Sequence, residues 1–276
     1  MPSEEFLSWY KKNSTKYMWD NYFEDLSQTK TGKGERVYKG MRLKRQMKTW
    51  EGLGHIKFKD GSEYQGFTAK EKFNGRGRMT QPNGDVYQGD WKDGVADGKG
   101  VFIQKDAGVI YDGDWKNDLQ HGKGTEEWDK GEFKYVGDFV EGKKTGKGVF
   151  TAKTGNVRYE GDFVDGKFEG NGKYINGALN KTLEGKFKNN HMKSGKIWFQ
   201  DGSWYEGELK NDMMNGSGVI RYPNGDAFVG SFVDDKKHGT GSYFDMQNGY
   251  KLQEDWVRGD RKSCVQTTTS TEEMNQ

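Results

Sequence analysis

The sequence predicts an all-β fold of stacked antiparallel hairpins, and three observations predict it. The first is a period. Tyr87-Gln88-Gly89-Asp90-Trp91 returns as Tyr111-Asp112-Gly113-Asp114-Trp115, as Tyr135-Val136-Gly137-Asp138-Phe139 and as Tyr159-Glu160-Gly161-Asp162-Phe163. Each copy is followed by a Gly-x-Gly triplet, the first being Gly98-Lys99-Gly100. Copies open at Tyr38, Tyr64, Tyr87, Tyr111, Tyr135, Tyr159, Leu183, Tyr205 and Phe228, with glycine two places later every time. Self-similarity at this spacing marks a repeat architecture. The second observation is parity: Tyr87, Gly89 and Trp91 fall on one side of a strand, and Gln88, Asp90 and Lys92 on the other. The third is composition. Only 31% of the residues are hydrophobic, 41 are glycine and 14% are aromatic, which suits a thin structure held by ring packing rather than a deep aliphatic core.

Within a copy, the second half folds back on the first. A straight register sets Tyr87 opposite Phe102, Gly89 opposite Gly100, Asp90 opposite Lys99 and Trp91 over Gly98, with Tyr135 opposite Phe150 and Phe139 over Gly146 in a later copy. Each ring then lies beside a residue without a side chain, a reason for glycine in a segment it would otherwise weaken. On the far face Asp90/Lys99, Asp114/Lys123 and Asp138/Lys147 become cross-strand ion pairs that favour this register.

Three regions follow in chain order. Residues 1–35 form a helical, aromatic N-terminal extension: Ser3 caps a helix with Glu4 and Glu5 in its first turn, and Tyr17, Met18, Tyr22, Phe23 and Leu26 supply apolar contacts to a second stretch. It caps the first repeat or docks on another chain. Residues 36–250 form an array of about nine hairpins. The copy at Tyr38 is irregular and carries Arg42, Lys44, Arg45 and Lys48 without an acidic neighbour, either a solvated loop or a patch for an anionic partner. The copy at Leu183 lacks the tyrosine and has Lys193 where the first glycine of the pair belongs. Pro82-Asn83-Gly84-Asp85 and Pro223-Asn224-Gly225-Asp226 are turns between copies. Residues 251–276 hold a half-unit with Trp256 as a C-terminal cap, then a polar, mobile tail from Ser263.

Several function classes are excluded. With 44 basic and 42 acidic residues there is no global field toward nucleic acid. The single Cys264 rules out an intrachain disulfide and suits a reducing, cytoplasmic setting. No apolar run approaches the ~20 residues of a spanning helix, and the start of the sequence has no secretory pattern. His121 and His238 share a slot five copies apart and cannot share a metal. Gly142-Lys143-Lys144-Thr145-Gly146-Lys147-Gly148 lacks the spacing and the Ser/Thr of a phosphate loop. No catalytic residue, cofactor or metal is expected.

The pattern Tyr-x-Gly-(Asp/Glu)-(Trp/Phe), then Gly-x-Gly, then Asn-Gly resembles the MORN repeat family, and Tyr205-Glu206-Gly207-Glu208-Leu209 and His121-Gly122-Lys123-Gly124 are close to its consensus. The resemblance covers about residues 36–250 and implies an elongated, single-layer, twisted sheet with an aromatic-lined groove. Such proteins serve in ciliary radial-spoke heads, cortical scaffolds and adaptors, and the enzyme domains found beside some arrays have no counterpart in this sequence. The expectation is a non-enzymatic scaffold in a cilium, axoneme or other cytoskeletal assembly. It binds partner proteins along a groove lined by Tyr87, Trp91, Phe102, Tyr111, Trp115, Tyr135, Phe139, Phe150, Tyr159 and Phe163. A peripheral module for an anionic lipid such as a phosphoinositide, or for an acidic protein surface, acting through Arg42, Lys44, Arg45 and Lys48, is the alternative. An accessory subunit of another large complex is a further one. The oligomeric state is left open.

Overall fold

The computed structural model describes residues 52–267. The N-terminal extension, the copy at Tyr38 up to residue 51, with the basic group Arg42, Lys44, Arg45 and Lys48, and residues 268–276 lie outside the described residues. The chain divides into two compact units, Met1–Gly142 and Lys143–Gln276. In the first, the strands are β1 (Gly52–Lys57), β2 (Glu63–Ala69), β3 (Lys72–Thr80), β4 (Val86–Lys92), β5 (Val95–Gln104), β6 (Val109–Lys116), β7 (Leu119–Trp128) and β8 (Phe133–Val140). In the second they are β9 (Lys143–Ala152), β10 (Val157–Val164), β11 (Lys167–Asn176), β12 (Lys181–Lys188), β13 (His191–Trp198), β14 (Trp204–Lys210), β15 (Met213–Arg221), β16 (Ala227–Val233), β17 (Lys236–Asp245), β18 (Tyr250–Val257) and β19 (Asp260–Thr267). Within each unit every strand pairs antiparallel with the next, giving an open meander. No α-helix occurs among the described residues.

Two-residue turns with positive φ at both central residues close the hairpins, the type I′ geometry that matches strand twist. Asn117 and Asp118 have φ of 50° and 65°, and Asn189 and Asn190 of 51° and 69°. The second turn residue also clamps the preceding copy. Asp118 donates its N–H to the Ala96 carbonyl at 3.0 Å, and its carboxylate accepts from the Ala96 N–H at 2.7 Å. Asn190 does the same with Phe168, and Asp235 with Met214. Side chains that tolerate positive φ and accept a hydrogen bond therefore serve the turn and the stack together.

The predicted register is right at the tyrosines and wrong near the turn. Tyr87 pairs with Phe102 and Gly89 with Gly100, but Trp91 pairs with Ala96 and Lys92 with Val95. A two-residue turn fixes the second set and the glycine pair fixes the first. Two extra residues must therefore bulge from β5, and Gly98 there adopts φ +121°. The Asp90 carboxylate accepts the Lys99 N–H at 3.0 Å and stitches the bulge. Asp90/Lys99 and Asp114/Lys123 are thus not in-copy ion pairs. The salt bridges join neighbouring copies: Arg76 to Asp90 at 3.8 Å, Lys99 to Asp114 and Lys123 to Asp138 at 2.5 Å, and Lys147 to Asp162 at 2.6 Å. The glycine opposite each large ring is also the preceding copy's: Gly75 faces Trp91 and Gly98 faces Trp115.

The copy at Leu183 keeps its glycine pair, Gly185 opposite Gly195. Met192, fully buried, lays its Cε over both glycines and fills the space a tyrosine ring takes elsewhere. Strand pairing continues past residue 250, because β18 pairs with β17 and with β19. Ser263–Thr267, read from sequence as part of a polar tail, is strand with both faces exposed. In β18 the usual glycine is Glu254, 2% exposed, bonded to Arg261 at 2.8 Å and to the Trp256 N–H at 3.0 Å.

Candidate partner-binding face

Each tyrosine folds over its own hairpin. Tyr87 Oη donates to the Asp90 carbonyl at 3.0 Å, Tyr111 to Asp114 at 2.7 Å, and Tyr205 to Glu208 at 2.7 Å, so a carbonyl freed by the bulge is satisfied. The ring lies flat on the glycine pair, and a Cβ added at Gly100 would run into the Tyr87 ring. Burial holds these phenols well above their ordinary range, with Tyr159 and Tyr205 pushed up to about 12.

The ring four residues later stands on edge between two tyrosines. Trp115 is 5.0 Å from Tyr87 and 5.2 Å from Tyr111, at interplanar angles of 84° and 88°. Trp91 bridges Tyr64 and Tyr87 in the same way, and Phe187 lies edge-on to Tyr159. Both indole N–H groups are used: Trp91 Nε1 donates to Gly77 O at 3.1 Å and Trp115 Nε1 to Gly100 O at 3.0 Å. In the first unit these contacts form an edge-to-face zipper from Tyr64 to Tyr135, each contact contributing about 0.5–1.5 kcal/mol beyond area burial.

This geometry sorts the ten residues assigned to a groove. Tyr111, Tyr135 and Tyr159 are 0% exposed, Phe139 1%, Phe163 3%, Tyr87 7% and Trp91 9%. These seven are buried within the ring packing and do not form a surface. Phe102, Trp115 and Phe150 are half-buried and keep an outward side. Sequence reasoning overlooked Met79, which occupies the place of Phe102 in the previous copy, opposite Tyr87 from β3. Asking what stands opposite each tyrosine would have found it. In the first unit that position runs Met79, Phe102 and Glu126, all half-buried and on the tyrosine side.

The sequence model of one family, the MORN repeat, matches residues 72–86, 87–108, 111–133, 135–157, 159–177, 205–227 and 228–248, more than half of the chain. The chain belongs to the MORN-repeat family. The unmatched interval contains the copy at Leu183, where Met192 replaces the tyrosine. Three solved structures share little sequence with this MORN protein. The G-box domain of the microcephaly protein CPAP is 10% identical, covering 79% of this chain and 100% of its own, at a TM-score of 0.30. A mutant of the TCP10 domain of Danio rerio CPAP is 11% identical over 76% and 98%, at 0.30. The Drosophila melanogaster SAS-4 TCP domain, in complex with a proline-rich motif of Ana2, is 12% identical over 79% and 90%, at 0.24. A search of curated proteins gave no match.

The MORN copies hold no metal-binding arrangement among the described residues: no group of three or more His, Cys, Asp or Glu is placed to take an ion. His121 stands opposite Asp114 beside the bulge. His238 Nδ1 accepts from the Arg258 N–H at 3.3 Å. No helix among the described residues is long and apolar enough to cross a membrane.

Proposed function

We propose that this MORN protein is a non-enzymatic scaffold, its array spanning 36–250, that holds a segment of a partner protein on its tyrosine side within a ciliary or other cytoskeletal assembly. One observation carries the reading. On that side, half-buried apolar side chains recur at a fixed place in the hairpin, and among the described residues strands contact chiefly their sequence neighbours, so no second layer covers them. A recurring apolar row without cover is an interaction surface. The residues bet on are therefore the outward-facing Phe102, Trp115, Phe150 and Met79. The cytoskeletal setting rests on the company that MORN arrays keep.

Proximity labelling in the native cell tests it, with the full chain and its Phe102→Asp variant each fused to a labelling enzyme. Cytoskeletal proteins labelled by the parent should be lost with the variant while its melting curve keeps its shape. Identical labelling patterns would sink the assignment of this face.

A further inference from the structure

One ammonium in the second unit sits where the repeat elsewhere puts an apolar side chain. The place beside the hairpin turn holds Phe73, Ala96, Phe168, Met192 and Met214 in five other copies. In the copies at Tyr64 and Tyr159 the phenylalanine stacks flat on the tyrosine, at 3.9 and 3.7 Å. In the copy at Phe228 the same place belongs to Lys237, opposite Phe232. Its Nζ lies 4.0 Å from the centre of the Phe228 ring, 4.5 Å from Trp256, 5.6 Å from Tyr222 and 5.8 Å from Tyr243. Four rings around one cation make a cage.

Buried acids hold that cage in shape. Tyr243 Oη donates to the Asp226 carboxylate at 2.6 Å and Trp256 Nε1 to that of Glu254 at 3.0 Å, and both carboxylates are buried. Glu254 stands opposite Gly241, where a glycine would complete the pair, and it also accepts from Arg261 at 2.8 Å. Two of the four rings are therefore fixed before any ligand arrives, which lowers the cost of binding one. Desolvation holds the Lys237 amine below the ordinary lysine range, although the Glu254 charge acts the other way. The ring faces attract a cation, but the water lost on entry penalises an ammonium, a strongly hydrated ion. A methylated ammonium keeps the charge, gives up less hydration and turns methyl groups toward the rings. Lys237, half-buried on a flexible stem, can return its charge to water when such a group takes its place.

We propose that Phe228, Trp256, Tyr222 and Tyr243 form a binding site for a trimethylated lysine side chain of a partner protein, with Lys237 as the resident cation that the ligand displaces. The site shares no residue with Met79, Phe102, Trp115 and Phe150 and stands or falls apart from them. A choline headgroup offers a similar cation, but its phosphate follows closely, and the Asp226 and Glu254 charges oppose an anion there.

The probes are one short glycine-serine peptide carrying either trimethyl-lysine or lysine at its centre, titrated into the full chain while the Trp256 indole N–H is followed by NMR. The trimethyl-lysine peptide should shift that resonance saturably and bind about tenfold tighter than the lysine peptide. Lys237→Ala, which sets at this place the residue found there as Ala96, should tighten its binding about tenfold by removing the resident cation. Lys237→Phe, which restores the ring of Phe73 and Phe168, should abolish it. Equal binding of the two peptides, binding of neither, or undiminished binding to Lys237→Phe overturns the cage. Binding to Lys237→Ala no tighter than to the parent overturns the displacement. Tighter binding of phosphocholine than of the trimethyl-lysine peptide overturns the protein ligand and assigns the cage to a lipid headgroup.

Discussion

Replacing Trp115 by alanine should damage this protein far more than a half-exposed residue in a thin sheet ordinarily would. The ring is the edge-to-face link between Tyr87 and Tyr111, at 5.0 and 5.2 Å, and its N–H satisfies the Gly100 carbonyl at 3.0 Å. Truncating a buried aromatic costs about 3–5 kcal/mol, and partial exposure sets this case near 3. In a chain of this size that lowers the melting temperature by about 6–12 °C. Among the described residues strands contact chiefly their sequence neighbours, so the loss weakens one junction, and the transition should broaden as well as shift. Circular dichroism melts and urea titrations of parent, Trp115→Ala and Trp115→Phe measure it. Phenylalanine already stands at this place in the copy at Tyr135, as Phe139, so Trp115→Phe should forfeit little more than the hydrogen bond, about 1 kcal/mol. The reasoning fails if Trp115→Ala costs under about 1 kcal/mol, or if Trp115→Phe is as damaging as alanine.

Gly98→Ala should cost about 1–3 kcal/mol by urea titration, because φ is +121° and the new Cβ would lie 2.7 Å from Asp90 Cβ. Gly94→Ala, with φ +96° but nothing within 4 Å of the added atom, should cost less, and equal losses would mean the bulge is not the constraint. Alkaline stability follows the tyrosines. Burial raises their folded pKa above the ordinary 10.0, to about 12 for Tyr159 and Tyr205, so their stabilisation is whole below pH 10 and is lost as pH rises through 12. Denaturation midpoints should be flat to about pH 9.5 and fall steeply between 10 and 12; a fall centred below pH 10 contradicts the buried phenols.

The sequence carried the parts of the fold that parity and spacing determine. Tyr87 opposite Phe102 and Gly89 opposite Gly100 were legible because glycine is otherwise out of place in a strand. The lower half of the hairpin was not, since a straight register was extended through Gly98 without counting back from the turn. Asp93-Gly94 and Asn117-Asp118 were signals that fix Trp91 opposite Ala96 and Trp115 opposite Gln120, and the two residues left over in each hairpin demand a bulge. That error moved Lys99 onto Asp90 instead of Asp114. Seven of the groove residues were taken for surface for a related reason. Aromatic residues in a thin sheet look exposed until each ring is seen to be covered by those of adjacent copies, which a reading of single copies does not show.

A division of labour follows from this packing. Tyrosine, the glycine pair, the bulge glycine and the turn residue are consumed by the fold, each buried, held at positive φ or bonded to its neighbour; so is the ring four residues on, except for the outward side that Trp115 keeps. The place opposite the tyrosine is less uniform: Ile56 and Ile197 are buried there, whereas Met79, Phe102 and Glu126 in the first unit and Tyr174, Ile220 and Tyr243 in the second keep some exposure. These last six are half-buried, so changing one alters the surface without unmaking the zipper. Where that place is half-buried, an array built this way can vary its surface while the structure beneath stays the same. Glu126 is where that freedom has been used most visibly, because there the sheet forgoes an apolar contact it could have kept.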